Sequence, residues 1–329
     1  MEEIIRPNPD CKGMTSSNSR QPPDPLFILR GSRSAITCLH YQNTGSGRLF
    51  SGCQEGEVYI WDLKTRRIKE MFDAHTKSSV LWIKSFECNK LITQGRDGFI
   101  KIWHNKNSKW NILEMYKCSS LVFCSSILFA HEGINYIAIP SNTASKVDII
   151  SVDSSQVVIS LQPMESKQGM CMCLKYAGTS NNKQLLLIGY ESGELQLWNI
   201  FSKTLMDQLS IFPESIMCMD FSEKYLKGMC GSVGNKLVTF KVADDKLIMD
   251  KTVEVVNEGF NNITIRGDDK LIVTCGWDKS IRLFSLKSLK PLAVLKYHKE
   301  SVQCCTFTSD NILICGSKDK LISLWEIYS

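Results

Sequence analysis

Short runs in which aliphatic residues alternate with polar ones recur along this chain. A small-residue pair and a turn precede each run, and an aromatic residue closes it. Residues 51–62 read Ser-Gly-Cys-Gln-Glu-Gly-Glu-Val-Tyr-Ile-Trp-Asp, and residues 93–103 read Thr-Gln-Gly-Arg-Asp-Gly-Phe-Ile-Lys-Ile-Trp. The pattern returns before Trp198, Phe240, Phe284 and Trp325, most weakly before Phe240. With Trp61 and Trp103 the anchors are spaced 42, 95, 42, 44 and 41 residues apart. The interval of 95 holds two periods, and Lys-Val-Asp-Ile-Ile, ending at Ile150, fits the worn copy inside it.

Seven copies with a mean period of 44 residues predict an all-β, seven-bladed β-propeller. The reason is burial. A single four-stranded blade has two apolar faces and cannot hide both, whereas ringed blades cover one another. The Val-x-Ile-Trp type of run is the third strand, with alternate residues sent to opposite faces. The glycine just before it opens a turn that needs positive φ.

Ring closure is also legible. The sequence ends four residues after Trp325, so the last blade lacks its outer strand. Residues 25–31, Pro-Leu-Phe-Ile-Leu-Arg-Gly, resemble residues 291–297, Pro-Leu-Ala-Val-Leu-Lys-Tyr, which are the outer strand of blade six. The N-terminal segment is therefore expected to pair with the last blade and lock the ring, making residues 25–329 the propeller. Residues 1–24 are rich in Pro, Ser and Asn and are expected to form a disordered tail outside it.

The composition, 43% hydrophobic and 22% charged, is that of a globular chain. A net charge of +5 is too mild to argue for nucleic acid or a membrane surface. No apolar run approaches the length of a membrane span, and the N-terminus has no secretory pattern. The 14 cysteines contain no Cys-x-x-Cys pair. Most fall in strand-like runs, so they read as buried free thiols of a reducing compartment rather than disulfides or zinc ligands.

Neither a Gly-x-Ser-x-Gly nucleophile, nor His-Glu-x-x-His, nor a Walker-type loop, nor an EF-hand occurs. His40, His104 and His131 are scattered singles, and Gly228, Gly231 and Gly234 fit a strand and its turn. The basic run Lys64, Arg66, Arg67 and Lys69 falls on a turn and an outer strand, where charge discourages edge pairing. These readings give no catalytic residue, no metal site and no cofactor. They favour a binding scaffold over a propeller enzyme.

The repeats resemble the WD-repeat family, whose hallmark is a hydrogen-bonded His, Ser or Thr, Asp and Trp within one blade. Blade two has the full set in His75, Thr93, Asp97 and Trp103. Blade seven has His298, Asp319 and Trp325, with Cys315 where the hydroxyl should be, and blade six keeps Thr274 and Asp278 but has Phe284. The resemblance implies that His75 and Asp97 are scaffold rather than half of a triad. It also implies that the residue before each turn Asp points onto the upper face, where partners commonly dock. Around blades six, seven, one and two that rim is Trp277, Lys318, Gln54 and Arg96, with Glu191 and Val233 on blades four and five.

Segments such as Gly-Trp-Asp-Lys-Ser-Ile-Arg and Gly-Ser-Lys-Asp-Lys-Leu-Ile-Ser-Leu-Trp are similar to those of the ASTRA-associated WD-repeat proteins. That resemblance implies an adaptor of the Triple-T co-chaperone system. Such an adaptor supports phosphatidylinositol-3-kinase-related kinases, and hence DNA-damage signalling, in cytoplasm and nucleus. The alternatives are an ASTRA-type chromatin-complex subunit or a G-protein β-like signalling subunit. The last needs an N-terminal coiled-coil helix to hold a γ subunit, against which Pro7, Pro9, Pro22 and Pro23 argue.

Overall fold

The computed structural model describes residues 4–5, 23–43, 47–87, 89–118, 123–164, 166–180 and 183–327. They form a seven-bladed β-propeller whose blades are antiparallel four-stranded sheets, one of them with a short fifth strand added at its outer edge. The only helix among the described residues is a single 3-10 turn, Ser166–Gln168.

Blade one shows the plan. Its strands Ile36–Gln42, Arg48–Cys53, Glu57–Asp62 and Arg67–Asp73 run in order from the channel outward. The inner three carry mostly buried side chains, whereas the outer strand is largely exposed. The basic run behaves as expected, with Arg67 and Lys69 on that outer strand and Arg66 in the turn before it.

Each anchor side chain fills one blade interface. Trp61 packs with Ile314 and Ile322 of blade seven, Trp103 with Phe50 and Ile60 of blade one, and Trp325 with Val273 and Leu283 of blade six. Ile150 takes the same position between blades two and three beside Ile92 and Ile100. Each anchor therefore faces the preceding blade, so one large residue per 44-residue period suffices to seal the ring.

Closure follows the expected route. Phe27–Leu29 is the outer strand of blade seven, antiparallel to Ile322–Trp325, with Phe27 opposite Leu324 and Leu29 opposite Ile322. Leu29 is buried in the cluster that joins blades seven and one, and the Arg66 guanidinium lies 4.2 Å over the Phe27 ring. Of the segment expected to lie outside the ring, Ile4–Ile5 pairs in parallel with the outer strand Lys246–Glu254 of blade five. Most of the remainder lies outside the described residues.

The turn glycines show why φ matters. Gly56 and Gly193 have φ of 96° and 80°, and an added Cβ would stand 1.9 and 2.0 Å from the carbonyl oxygens of His75 and Phe212. In blades six and seven Lys279 and Lys320 occupy the equivalent place with φ of 71° and 69°. A side chain is therefore tolerated in those two turns at some conformational cost.

All twelve described cysteines are free and buried. Burial pushes the Cys53 and Cys118 thiols up to about 12, so both are inert core groups.

Candidate functional site

In blade two a hydrogen-bonded chain links four side chains. Trp103 Nε1–H donates to Thr93 Oγ1 at 2.9 Å, and Thr93 Oγ1 lies 2.8 Å from His75 Nε2. His75 Nδ1 lies 2.9 Å from Asp97 Oδ2. The Asp97 carboxylate can only accept, which puts a proton on His75 Nδ1. In that tautomer of the neutral ring Nε2 accepts from the Thr93 hydroxyl, whose oxygen accepts the indole N–H. Asp97 also accepts from the Phe99 N–H and has Lys101 Nζ at 3.6 Å. Its side chain is 25% exposed rather than fully buried, because it caps the turn at the blade's upper end.

Burial raises the Asp97 pKa. Hydrogen bonding and charge from His75, with the Phe99 N–H, outweigh that, and the net shift is downward. The balance at Asp319 in blade seven is the same, set against burial by His298 and the Lys299 and Leu321 N–H groups. A lowered carboxyl pKa adds stability above the ordinary carboxylate value. That stability is lost as pH falls through the folded-state value. Asp97→Ala leaves the His75 N–H unpaired and is expected to cost about 1–3 kcal/mol. Chemical denaturation checks this, and an unchanged midpoint would remove the structural role.

Blade seven corrects the sequence reading. Cys315 is not the stand-in for the hydroxyl. Ser323 supplies it, 2.8 Å from His298 Nε2 and accepting the Trp325 indole N–H at 2.7 Å. Cys315 and Ser323 face each other across the ladder, so the hydroxyl has moved to the neighbouring strand and kept its place in space. Ser323→Ala should therefore destabilise by about 1–3 kcal/mol, whereas Cys315→Ala removes no member of this network. Denaturation midpoints of the two variants test the assignment.

The position two residues before the anchor solves the same problem elsewhere. In blade six Arg282, paired across from Thr274, holds Asp278 with two bonds of 3.0 and 2.6 Å. Thr274 Oγ1 has no hydrogen-bond partner among the described residues, since Phe284 has no N–H to offer it. In blade four Gln196 accepts the Trp198 indole at 2.8 Å, and in blade three buried Asp148 binds Lys146 at 2.9 Å. Blade one instead uses the neighbouring strand, as blade two does: Ser51 accepts the Trp61 indole at 2.8 Å.

Five of the six rim residues are fixed by their backbone. The N–H groups of Gln54, Arg96, Glu191, Trp277 and Lys318 donate to the carbonyls of Ala35, Ser79, Met170, Gly259 and Ser301 at 2.8–3.0 Å. Each acceptor sits at the start of its own blade's inner strand. Gln54, Arg96, Trp277 and Lys318 thereby meet at the mouth of one central cavity of about 920 Å³. Its walls come from the second residue of successive inner strands, among them Thr37, Leu81, Met172, Met217 and Gln303. Glu191 and Val233 do not line it.

Trp277 is 43% exposed, and its indole donates to Asn261 Oδ1 at 2.8 Å. Its ring lies against Gly259, where an added Cβ would stand 2.1 Å from it. The Arg96 guanidinium lies 4.1 Å over the ring of Phe123, itself 56% exposed. Phe123 precedes the inner strand of blade three, the blade without the hallmark, so counting from an anchor could not find it. The mouth therefore presents two exposed aromatics with two cationic side chains, the composition of a protein-binding hot spot.

The "WD domain, G-beta repeat" family model matches residues 23–62, 257–285 and 289–326. The chain is 37% identical to guanine nucleotide-binding protein subunit beta-like protein 1 of Mus musculus over 93% of its own length and 97% of the mouse protein. It is 27% identical to ASTRA-associated protein 1 of Schizosaccharomyces pombe and 26% identical to that of Schizosaccharomyces japonicus, with 93% of the chain and 99% of each relative covered. Seven anchored blades, the strand-closed ring and 37% identity over nearly the full length of the mouse protein together show that the chain belongs to the WD-repeat family that includes guanine nucleotide-binding protein subunit beta-like protein 1.

Proposed function

We propose that this chain is a non-catalytic adaptor of the Triple-T co-chaperone system, acting on phosphatidylinositol-3-kinase-related kinases in cytoplasm and nucleus. The observation that carries the scaffold reading is the convergence of Trp277, Arg96 with Phe123, Lys318 and Gln54 on one cavity mouth. Partner binding needs large amphipathic groups held in place on a rigid frame, and these are held by backbone and side-chain hydrogen bonds. His75 and Asp97 are occupied in the blade-two chain, where they hold a strand and a turn together.

The name of the fission-yeast relatives, ASTRA-associated protein 1, and their full-length alignment support membership of a multi-protein assembly. Quantitative affinity purification from cells tests the finer reading. Triple-T subunits should be enriched with the wild-type chain and depleted with Trp277→Ala. Recovery of chromatin-remodelling subunits without Triple-T would replace the co-chaperone role by that of a chromatin-complex subunit. A co-purifying γ subunit would replace it by G-protein signalling.

A further inference from the structure

The fifth residues of six inner strands, with the first residue of the shorter blade-three strand at the same ladder position, form a second ring below the cavity walls. It lies three residues deeper than the lining positions, roughly 10 Å by the rise of a strand. In chain order the ring contains His40, Lys84, Ile127, Lys175, Asp220, Thr264 and Thr306. All except Asp220 are half-buried, as are the lining residues above. The cavity itself reaches Ile83 and Cys305, the level directly above this ring.

The charges of the ring do not balance. Lys175 is ion-paired with Asp220, whose carboxylate also accepts the N–H groups of Phe221 and Ile265. His40 Nε2 is engaged with Ser85 Oγ at 2.8 Å, and Thr264 donates to Asn262 and to the Cys305 carbonyl. Lys84 makes no hydrogen bond or ion pair with any described residue, and Ile127 of blade three, at the same level, offers it none. Burial, and then repulsion from Lys175, hold the Lys84 ammonium below its ordinary pKa. Burial, with the Lys84 charge, pushes His40 down to about 3, so the histidine stays neutral beside it.

An ammonium carries three donors and is costly to leave unpaired away from water. Here the one carboxylate on the ring, Asp220, is already taken by Lys175. We infer that the channel floor at Lys84 is a binding site for a phosphate oxyanion, either free or carried on a side chain. The anion would reach Lys84 through the cavity and supply the missing countercharge, with Lys175 adding long-range attraction. This inference does not depend on which protein docks at the rim.

Calorimetric titration and thermal melting of the full chain test it, with inorganic pyrophosphate and a short phosphoserine peptide as separate probes. At least one probe should raise the wild-type melting temperature at millimolar concentration, as a ligand of the native state does. Pyrophosphate alone would assign the site to a free anion, and the peptide alone to a phosphorylated chain. Lys84→Gln should weaken binding at least tenfold yet melt no lower than wild type without probe, because an unpaired charge has been removed. Lys84→Arg should retain binding, and Lys69→Gln, on the exposed outer strand of blade one, should leave pyrophosphate binding unchanged. A wild-type chain unmoved by both probes, or a Lys84→Gln chain that responds as wild type does, overturns the assignment.

Discussion

Deletion of residues 1–31 should lower the melting temperature of the propeller by roughly 10 °C or more, whereas deletion of residues 1–22 should leave it near that of the full chain. The larger deletion removes Phe27–Leu29, the outer strand of blade seven. Leu29 is 1% exposed and belongs to the core that joins blade seven to blade one. Truncating one buried leucine costs about 2–5 kcal/mol. Each kcal/mol is worth about 2–4 °C in a domain of a few hundred residues. The deletion also removes the ladder partners of Ile322, Ser323 and Leu324. That leaves the buried strand Ile322–Trp325 as an unprotected edge, so aggregation should accompany the loss. Leu29→Ala is the milder form of the experiment and should cost about 2–5 kcal/mol by itself. Equal melting temperatures for the 1–31 deletion and the full chain would show that the ring closes without this strand.

The propeller was legible because its determinants are one-dimensional. An aromatic every 44 residues, a turn before it and alternation between them can be read along the chain without knowing what lies beside what. The closing strand was legible for the same reason, as a copy of residues 291–296. What escaped was lateral. Ser323 replaces the hydroxyl that Cys315 lacks because the two residues face each other across a ladder, and opposite residues are only about 4.5–5.5 Å apart at Cα. Arg282 replaces a histidine in the same way, from the strand beside Thr274. Sequence spacing names the strand on which a group should sit, whereas the network needs only its position in space. Phe123 lies in the one blade without an anchor aromatic, so nothing marked it. Lys84 reads as an ordinary strand lysine until seven inner strands are aligned and its neighbours prove to be engaged elsewhere.

Trp277→Ala should reduce affinity for the docked partner by at least about 2 kcal/mol, some 30-fold, with little change in the stability of the fold. Two observations set that size. The indole is already ordered, by the 2.8 Å bond to Asn261 and by contact with Gly259, so a partner loses little rotamer freedom in engaging it. Yet 43% of the residue remains exposed, which leaves a large apolar face to bury. A tryptophan that merely covered Gly259 would give the opposite result, a loss of stability with unchanged affinity. Arg96→Glu with Lys318→Glu should weaken capture further through like-sign repulsion of an acidic partner, mainly in the association rate and more strongly at low salt. Arg96 also stacks on Phe123, so Phe123→Ala should reproduce part of the Arg96 effect without changing charge. Binding kinetics at two ionic strengths, with melting temperatures of the same variants, separate these contributions. If all the variants retain the partner at wild-type recovery, the docking site lies on another face, and the first place to test is blade three, where no hallmark chain constrains the loops.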